Sequence, residues 1–320
     1  MKEFAYERPT DVRDALIAAG GGGARYLGGG TNLVDLMKEG VEAPTRLVDV
    51  RRLPLAGVSE APDGGLVIGA TTTNSDLAAH PEVRRRYPAL SQAVLAGASG
   101  QLRNMATVGG NLLQRTRCAY FAAQVCNKRV PGTGCPAITG EHHNHAILGW
   151  TGSCVATHPS DMAVAMLAFD AVVRFETLDG PGEIPLADFY PPVGDTPHRE
   201  TALPPGALIT AVALPGSAVS PRSRYRKVRE RASYAFATVS IAAGLDLDEG
   251  SVRIALGGVA SRPWRARTAE AYLLDAPFTP EAFRAAADAE LAAAEPLPGN
   301  GYKVRLAGNL IETVLKELRP

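Results

Sequence analysis

The stretch YLGGGTNLVDLMK, residues 26–38, runs from a short apolar strand through three successive glycines into the start of a helix. Glycines at 28, 29 and 30 let the backbone reach positive φ and let a ligand or another segment come close. The exposed N–H groups of such a turn, with a helix start behind it, favour a phosphate. It is not a Walker A loop, because no Lys follows the glycines in the Gly-Lys-Ser/Thr pattern. Nor does it fit G-x-G-x-x-G with an acidic residue about 20 positions on, although Asp49 stands near that distance. ATVGGNLLQ, residues 106–114, has the same character. Two such turns suggest a diphosphate held between two subdomains. Thr31, Asn32, Thr107 and Asn111 would add uncharged side-chain donors.

Outward from these turns, the pattern alternates strands and short helices. TDVRDALIAAG (10–20) reads as a helix capped by Thr10 or Asp11 and stopped by Gly20. TRLVDVRRL is a strand with Asp49 near its end. LVIGATTTNSDLAAHPEVRRRYPAL reads as strand, turn and helix, with Asn74 or Ser75 as cap. SQAVLAGASGQLRNMATVGGNLLQ reads as a helix followed by a glycine-rich turn. SDMAVAMLAFDAVVRFETL is a helix capped by Ser160 that runs into a strand. After Pro221, alternating apolar residues and an Asp-Glu-Gly turn predict a β-meander. Residues 265–295 are Ala-rich and helical, and 301–317 form a last amphipathic helix. Boundaries fall near 55 and near 220, and no internal repeat is visible.

At 320 residues the chain is long enough for two or three domains. Lys+Arg and Asp+Glu both total 33, so no global field favours nucleic acid or an anionic membrane. MKEFAYERPTD lacks an apolar run behind a basic start, so it is not read as a signal peptide. No apolar run approaches the roughly 18–20 residues of a membrane span. These features predict a soluble protein without membrane insertion.

Cys118, Cys126, Cys135 and Cys154 are the only cysteines, spaced C-x7-C-x8-C-x18-C in a segment, 115–157, of little regular periodicity. Such a cluster means a ligand set or disulfides. Disulfides are disfavoured without a signal peptide. Zinc more usually comes with paired C-x2–4-C spacing, whereas a cubane tolerates irregular spacing. Arg115, Arg117, Lys128 and Arg129 flank the cysteines and would stabilise thiolates. A basic loop facing solvent or a partner is the alternative. His142, His143 and His145 have no companion ligand spacing and read as surface or hydrogen-bonding residues; His158 reads as structural.

YLGGGTNLVDLMK, ATVGGNLLQ, HPSDMAVAML and YRKVRERASYAFA, in this order, resemble the FAD-binding medium subunit of the xanthine dehydrogenase/molybdenum hydroxylase family. The resemblance spans nearly the whole chain. It implies an α+β protein with a two-subdomain FAD-binding fold of the vanillyl-alcohol-oxidase (PCMH) type and a smaller α+β C-terminal domain. The divisions are 1–55, 56–220 and 221–320. It also implies that Tyr26, Leu27, Gly28, Gly29, Gly30, Thr31, Asn32, Leu33 and Val34 wrap the FAD pyrophosphate, helped by Thr107 and Gly110. Asp161 would meet the ribose or phosphate end, and Lys227 would lie near the isoalloxazine. As plain residues, Asp161 is a helix N-terminal acid and Lys227 a solvated strand lysine.

The segment QRTRCAYF…CNKRVPGTGCPAI…CVATHPSDMA, with LGGVASRPWRA near 260, resembles the flavin subunits of bacterial periplasmic aldehyde oxidoreductases that carry an extra [4Fe-4S] cluster. That resemblance implies Cys118, Cys126, Cys135 and Cys154 as its ligands. It further implies a large molybdenum-cofactor subunit that oxidises the substrate and a small [2Fe-2S] subunit that passes electrons to this flavin. An external acceptor would then take them. Rival readings are a stand-alone FAD oxidase, a 4-hydroxybenzoyl-CoA reductase-like flavin subunit, and a zinc-loop assembly protein. The expected compartment is the periplasm, by co-export with a Tat-tagged partner, or the cytoplasm.

Overall fold

The computed structural model describes residues 1–123 and 125–319, and three sheets organise them. The first holds β1 (Ala5–Glu7), β2 (Ala24–Leu27) and β3 (Arg46–Asp49) in the order β1-β3-β2, all parallel. Parallel strands need crossovers. Here these are α1 (Val12–Ala19), capped by Asp11 and ended by Gly20, and α2 (Leu33–Lys38).

The second sheet has five strands: β4 (Val58–Glu60), β5 (Leu66–Gly69), β6 (Val172–Thr177), β7 (Gly180–Pro185) and β8 (Leu208–Leu214). Their order is β4-β5-β8-β6-β7, antiparallel throughout. The third sheet is the meander β9 (Ser223–Val228), β10 (Val239–Asp246), β11 (Ser251–Gly257) and β12 (Trp264–Arg265).

The stretch expected as one helix after Thr73 is three: α3 (Asn74–Ala79), α4 (Pro81–Arg86) and α5 (Pro88–Ala96). Pro81 and Pro88 have no N–H to continue a helix and push the preceding residue out of the helical region, so each opens a new one. Thr73, rather than Asn74 or Ser75, is the cap, accepting from Asp76 N.

After α6 (Gly100–Arg103), the second glycine motif is not a turn. Gly109 and Gly110 lie inside α7 (Val108–Leu112), whose cap Thr107 accepts from Gly110 N. A side-chain oxygen two or three residues before the glycines satisfies the first free N–H groups, and that decides for helix.

The cysteine segment carries only α8 (Ala119–Ala123) and a 3-10 turn at Pro136–Ile138. Next comes α9 (Asp161–Ala168), capped by Ser160 and buried along its whole length. Such burial needs partners on every side. These are α5, the second sheet, and Tyr225, Ala242 and Ala255 of the third, in one core cluster.

After α10 (Leu186–Phe189) the remaining helices follow the meander. The Ala-rich region divides into α11 (Arg267–Leu274) and α12 (Pro280–Leu291), again with Pro at a helix start, here behind the cap Thr279. With α13 (Tyr302–Leu318) they cover the third sheet and bury Ile241, Ile254, Phe283 and Ile311. Among the described residues no helix is long and apolar enough to cross a membrane.

Candidate functional site

A cleft of about 690 Å³ lies where the glycine turn, α7, α9 and the end of β9 converge. Close approach explains the glycines. A Cβ on Gly28 would stand 2.7 Å from Thr107 Oγ1, and one on Gly29 only 1.8 Å from Met105 O. Gly30 has φ +74°. The turn therefore packs directly on the 105–107 segment, which Asn74 N–H fixes from behind by donating to Ala106 O (2.8 Å). Asn32 Oδ1 accepts from Arg115 N (2.9 Å), which ties the turn to the cysteine segment.

Of the residues expected around the cofactor, Thr31, Asn32, Gly110, Asp161 and Lys227 line the cleft. Tyr26, Leu27, Gly28, Gly29, Gly30, Leu33, Val34 and Thr107 do not; they build the wall behind it. Tyr26 turns away and donates to Gly206 O (2.7 Å), and burial holds its hydroxyl up at about 12.

Asp161 and Lys227 form one ion pair at 2.7 Å, both largely buried. Tyr225 donates its hydroxyl to the other Asp161 oxygen (2.5 Å), and burial, then the Asp161 charge, keeps that phenol protonated. Asp161, expected at the ribose or phosphate end of the cofactor, and Lys227, expected near the isoalloxazine, thus stand side by side. Lys227 is also not the solvated strand lysine of the plain reading.

Sequence reasoning missed Arg103, Tyr234 and Phe236, which also line the cleft. Phe236 lies under the Arg117 guanidinium (5.2 Å), and Tyr234 has φ +53°. Nothing in a Ser-Tyr-Ala-Phe loop reveals that its aromatics border a cleft. Asn32 Nδ2, Asn74 Oδ1 and Ser240 Oγ, all lining the cleft, are buried without a protein hydrogen-bond partner. Such groups suit a polar ligand, since leaving them unpaired costs on the order of 1–3 kcal/mol each.

Beside the cleft, Cys118, Cys126, Cys135 and Cys154 all line one small cavity of about 10 Å³, and all are free thiols. Asn127 Oδ1 accepts from Gly132 N (2.9 Å) and Gly134 N (3.0 Å), folding the loop between the second and third cysteines. Interaction with the Cys154 side chain holds Cys135 down to about 6 and the Cys135 side chain pushes Cys154 up, while burial raises Cys118.

Three of the flanking cations have partners other than the sulfurs. Arg115 pairs with Glu42 and Glu200, and Arg117 faces Phe236. Lys128 lines the cavity but donates to Pro197 O (3.0 Å). Among the described residues no three His, Cys, Asp or Glu side chains are set around a single metal ion.

Cys118 lines both the cleft and the cavity, and His145 Nε2 stands 3.2 Å from its sulfur. Burial, then Lys303, holds His145 down to about 4, so the ring is neutral at neutral pH. His142 Nε2 accepts from Gly299 N, His143 stacks on Tyr302, and half-buried His158 packs on Tyr190.

Residues 2–217 match the family described as the FAD binding domain in molybdopterin dehydrogenase, and 223–318 match the CO dehydrogenase flavoprotein C-terminal domain. The chain belongs to the FAD-binding medium subunits of the xanthine dehydrogenase family. This medium subunit is 53% identical to the aldehyde oxidoreductase FAD-binding subunit PaoB of Escherichia coli, over all of its own length and 99% of that protein's. It is 28% identical to the carbon monoxide dehydrogenase medium chain of Hydrogenophaga pseudoflava, over 98% of its own length and 96% of the relative's. A solved chain of carbon monoxide dehydrogenase from the same organism superposes with a TM-score of 0.76 at 29% identity, covering 98% and 96% of the two chains. The medium subunit is thus an α+β oxidoreductase component, and its fold is that of an FAD carrier.

Proposed function

We propose that this chain is the electron-transferring flavin subunit of an aldehyde-oxidising molybdenum hydroxylase, and that its four cysteines hold a [4Fe-4S] cluster beside the flavin. One observation carries the two-cofactor reading. Cysteines spread over 37 residues turn to one cavity, and Cys118 also borders the cleft. A set of four free thiols suits a thiolate-ligated cluster. At about 10 Å³ the cavity has room for about one water, so the four thiols would have to turn outward to hold a cluster. The aldehyde class rests on the similarity to the Escherichia coli aldehyde oxidoreductase subunit.

When bound, FAD supplies electron exchange singly or in pairs, and an iron–sulfur cluster supplies single-electron exchange. The chain's own residues do the holding. Thr31, Asn32 and Gly110, which line the cleft, would hold the diphosphate, on the segment from Tyr26 to Val34 that packs against Met105 and Thr107. Lys227 pairs with Asp161 at one end of the cleft. Aldehyde oxidation belongs to a large partner subunit with a molybdenum cofactor. A small [2Fe-2S] subunit delivers the electrons, and an external acceptor removes them.

The test is anaerobic purification of the chain with FAD, iron, acid-labile sulfide and zinc measured per polypeptide. About one FAD with about four iron and four sulfide is expected, with iron lost in Cys135→Ser. Flavin without iron removes the cluster, and zinc without flavin overturns both cofactors. Aldehyde should reduce the flavin only when the partner subunits are present. Turnover by the isolated chain would instead make it a stand-alone oxidase.

A further inference from the structure

Among the described residues four asparagines line the cleft, and the protein itself orients three of them. Asn32 Oδ1 accepts from Arg115 N (2.9 Å), and Asn111 Oδ1 accepts from Gln114 Nε2 (2.9 Å) and the Ser160 hydroxyl (2.6 Å). Each is thereby turned so that its NH2 end is left over. Asn144 donates to Glu230 Oε1 (3.1 Å) and accepts from the Tyr302 hydroxyl (3.4 Å).

The fourth, Asn74, is oriented by nothing. It is 4% exposed, its Oδ1 is buried with no protein partner, and its Nδ2 has none among the described residues. Whichever way the amide is flipped, one polar end is sealed from water and unpaired, which is unfavourable until a partner arrives. Asn74 does not serve its own helix either, since Thr73 caps α3. Its backbone N–H donates to Ala106 O (2.8 Å), which fixes the residue where it stands. α3 packs on α5 and α6, and the residues these bring to the cleft are Ala93, Val94, Leu102 and Arg103. The first three are apolar, and Arg103 donates to Gly97 O (2.7 Å). On this side the wall is thus apolar side chains around one amide that keeps both a donor and an acceptor free.

We propose that Asn74 reads a ring edge of the cofactor: its amide hydrogen-bonds a heterocycle that carries a donor and an acceptor side by side. The inference deepens the reading of the cleft as the FAD site and rests on it. Both rings of FAD have such an edge: the flavin sets N3–H beside a carbonyl, and adenine sets its amino group beside a ring nitrogen. A diphosphate offers acceptors only and would leave the Asn74 oxygen unpaired; it suits the NH2 ends of Asn32 and Asn111. Apolar walls with a few fixed polar groups are the usual lining of a small-molecule site.

The test is calorimetric titration of the flavin-free full chain with FAD and with its two halves, FMN and AMP, comparing wild type with Asn74→Leu. Leucine keeps the branched shape without the polar atoms, so FAD should bind on the order of tenfold or more weakly. One half should weaken with it: FMN if the flavin edge is read, AMP if the adenine edge is. The thermal midpoint of the flavin-free variant should hold or rise, because an unpaired polar group has left the interior. FAD affinity within about twofold of wild type overturns the proposal. So does a lowered midpoint with FMN and AMP weakened alike, which makes Asn74 a structural residue. A wild type that binds no FAD removes the reading of the cleft instead. If the leucine variant does not fold, Asn74→Ala, which removes the amide without adding bulk, is judged by the same affinities.

Discussion

Asp49 closes β3 with its carboxylate out of contact with water, where it accepts from Arg51 Nη2 (2.8 Å), Arg51 Nε and the Tyr6 hydroxyl. Burial alone would raise its pKa, but the hydrogen bonds from Arg51 and Tyr6 outweigh it and hold Asp49 at about 2. The folded value lies below the unfolded one. The pair's contribution is therefore fully present above about pH 4 and is lost as pH falls toward 2. Arg51 is partly exposed and screened by solvent, so about 1–2 kcal/mol is expected at neutral pH. Urea unfolding of wild type and Asp49→Asn should show that gap at pH 7 and a narrowing gap below pH 4. A gap that stays constant down to pH 3 or lower contradicts this account. The acid standing about 20 residues after the glycine turn thus faces Arg51 and Tyr6, not the cleft.

The glycine turn between β2 and α2 is shaped by what presses on it. Gly29→Ala sets a methyl group against Met105 O, a backbone atom that cannot swing aside. The turn must then separate from the 105–107 segment at a cost of about 1–3 kcal/mol. The variant should keep its far-UV circular dichroism and lose most of its bound FAD, measured as flavin absorbance per protein. Gly21→Ala, where a Cβ meets nothing within 4 Å, should bind as wild type does. Equal flavin content in the two variants would falsify the packing argument. The same element-level logic covers α3, α4 and α5: proline and cap chemistry sets where a helix starts, and apolar period sets only which face it buries.

Across the whole molecule, α9 and Lys303 join the parts. α9 belongs to the core of the second sheet and packs on the third as well. Lys303, buried on α13, donates to Asn144 O (3.2 Å), His145 O (2.8 Å) and Gly258 O (2.5 Å), binding the cysteine segment and the end of β11 to the last helix. Burial pushes its pKa down to about 7, but three carbonyl acceptors match the three donors of the ammonium and oppose that fall. Lys303→Met removes a donor from all three carbonyls and should cost about 2–4 kcal/mol, read as a lowered midpoint in thermal unfolding. A change within about 0.5 kcal/mol, the ordinary range of surface substitutions, would mean that water replaces the clamp.

The amino-acid sequence by itself determined a helix start at Thr10 or Asp11 and one at Ser160, the meander after Pro221, and the family announced by four segments in order. Each of these is written in local dihedral preference, capping chemistry or apolar period over a few residues. Only the tertiary structure decided that Lys227 meets Asp161, 66 positions away, that Gly29 lies against Met105, and that Cys118 shares a wall with His145. A local pattern states what a residue prefers and which face it turns inward. Which distant residue it meets depends on how α9 and three sheets pack together, and no window of neighbouring residues contains that.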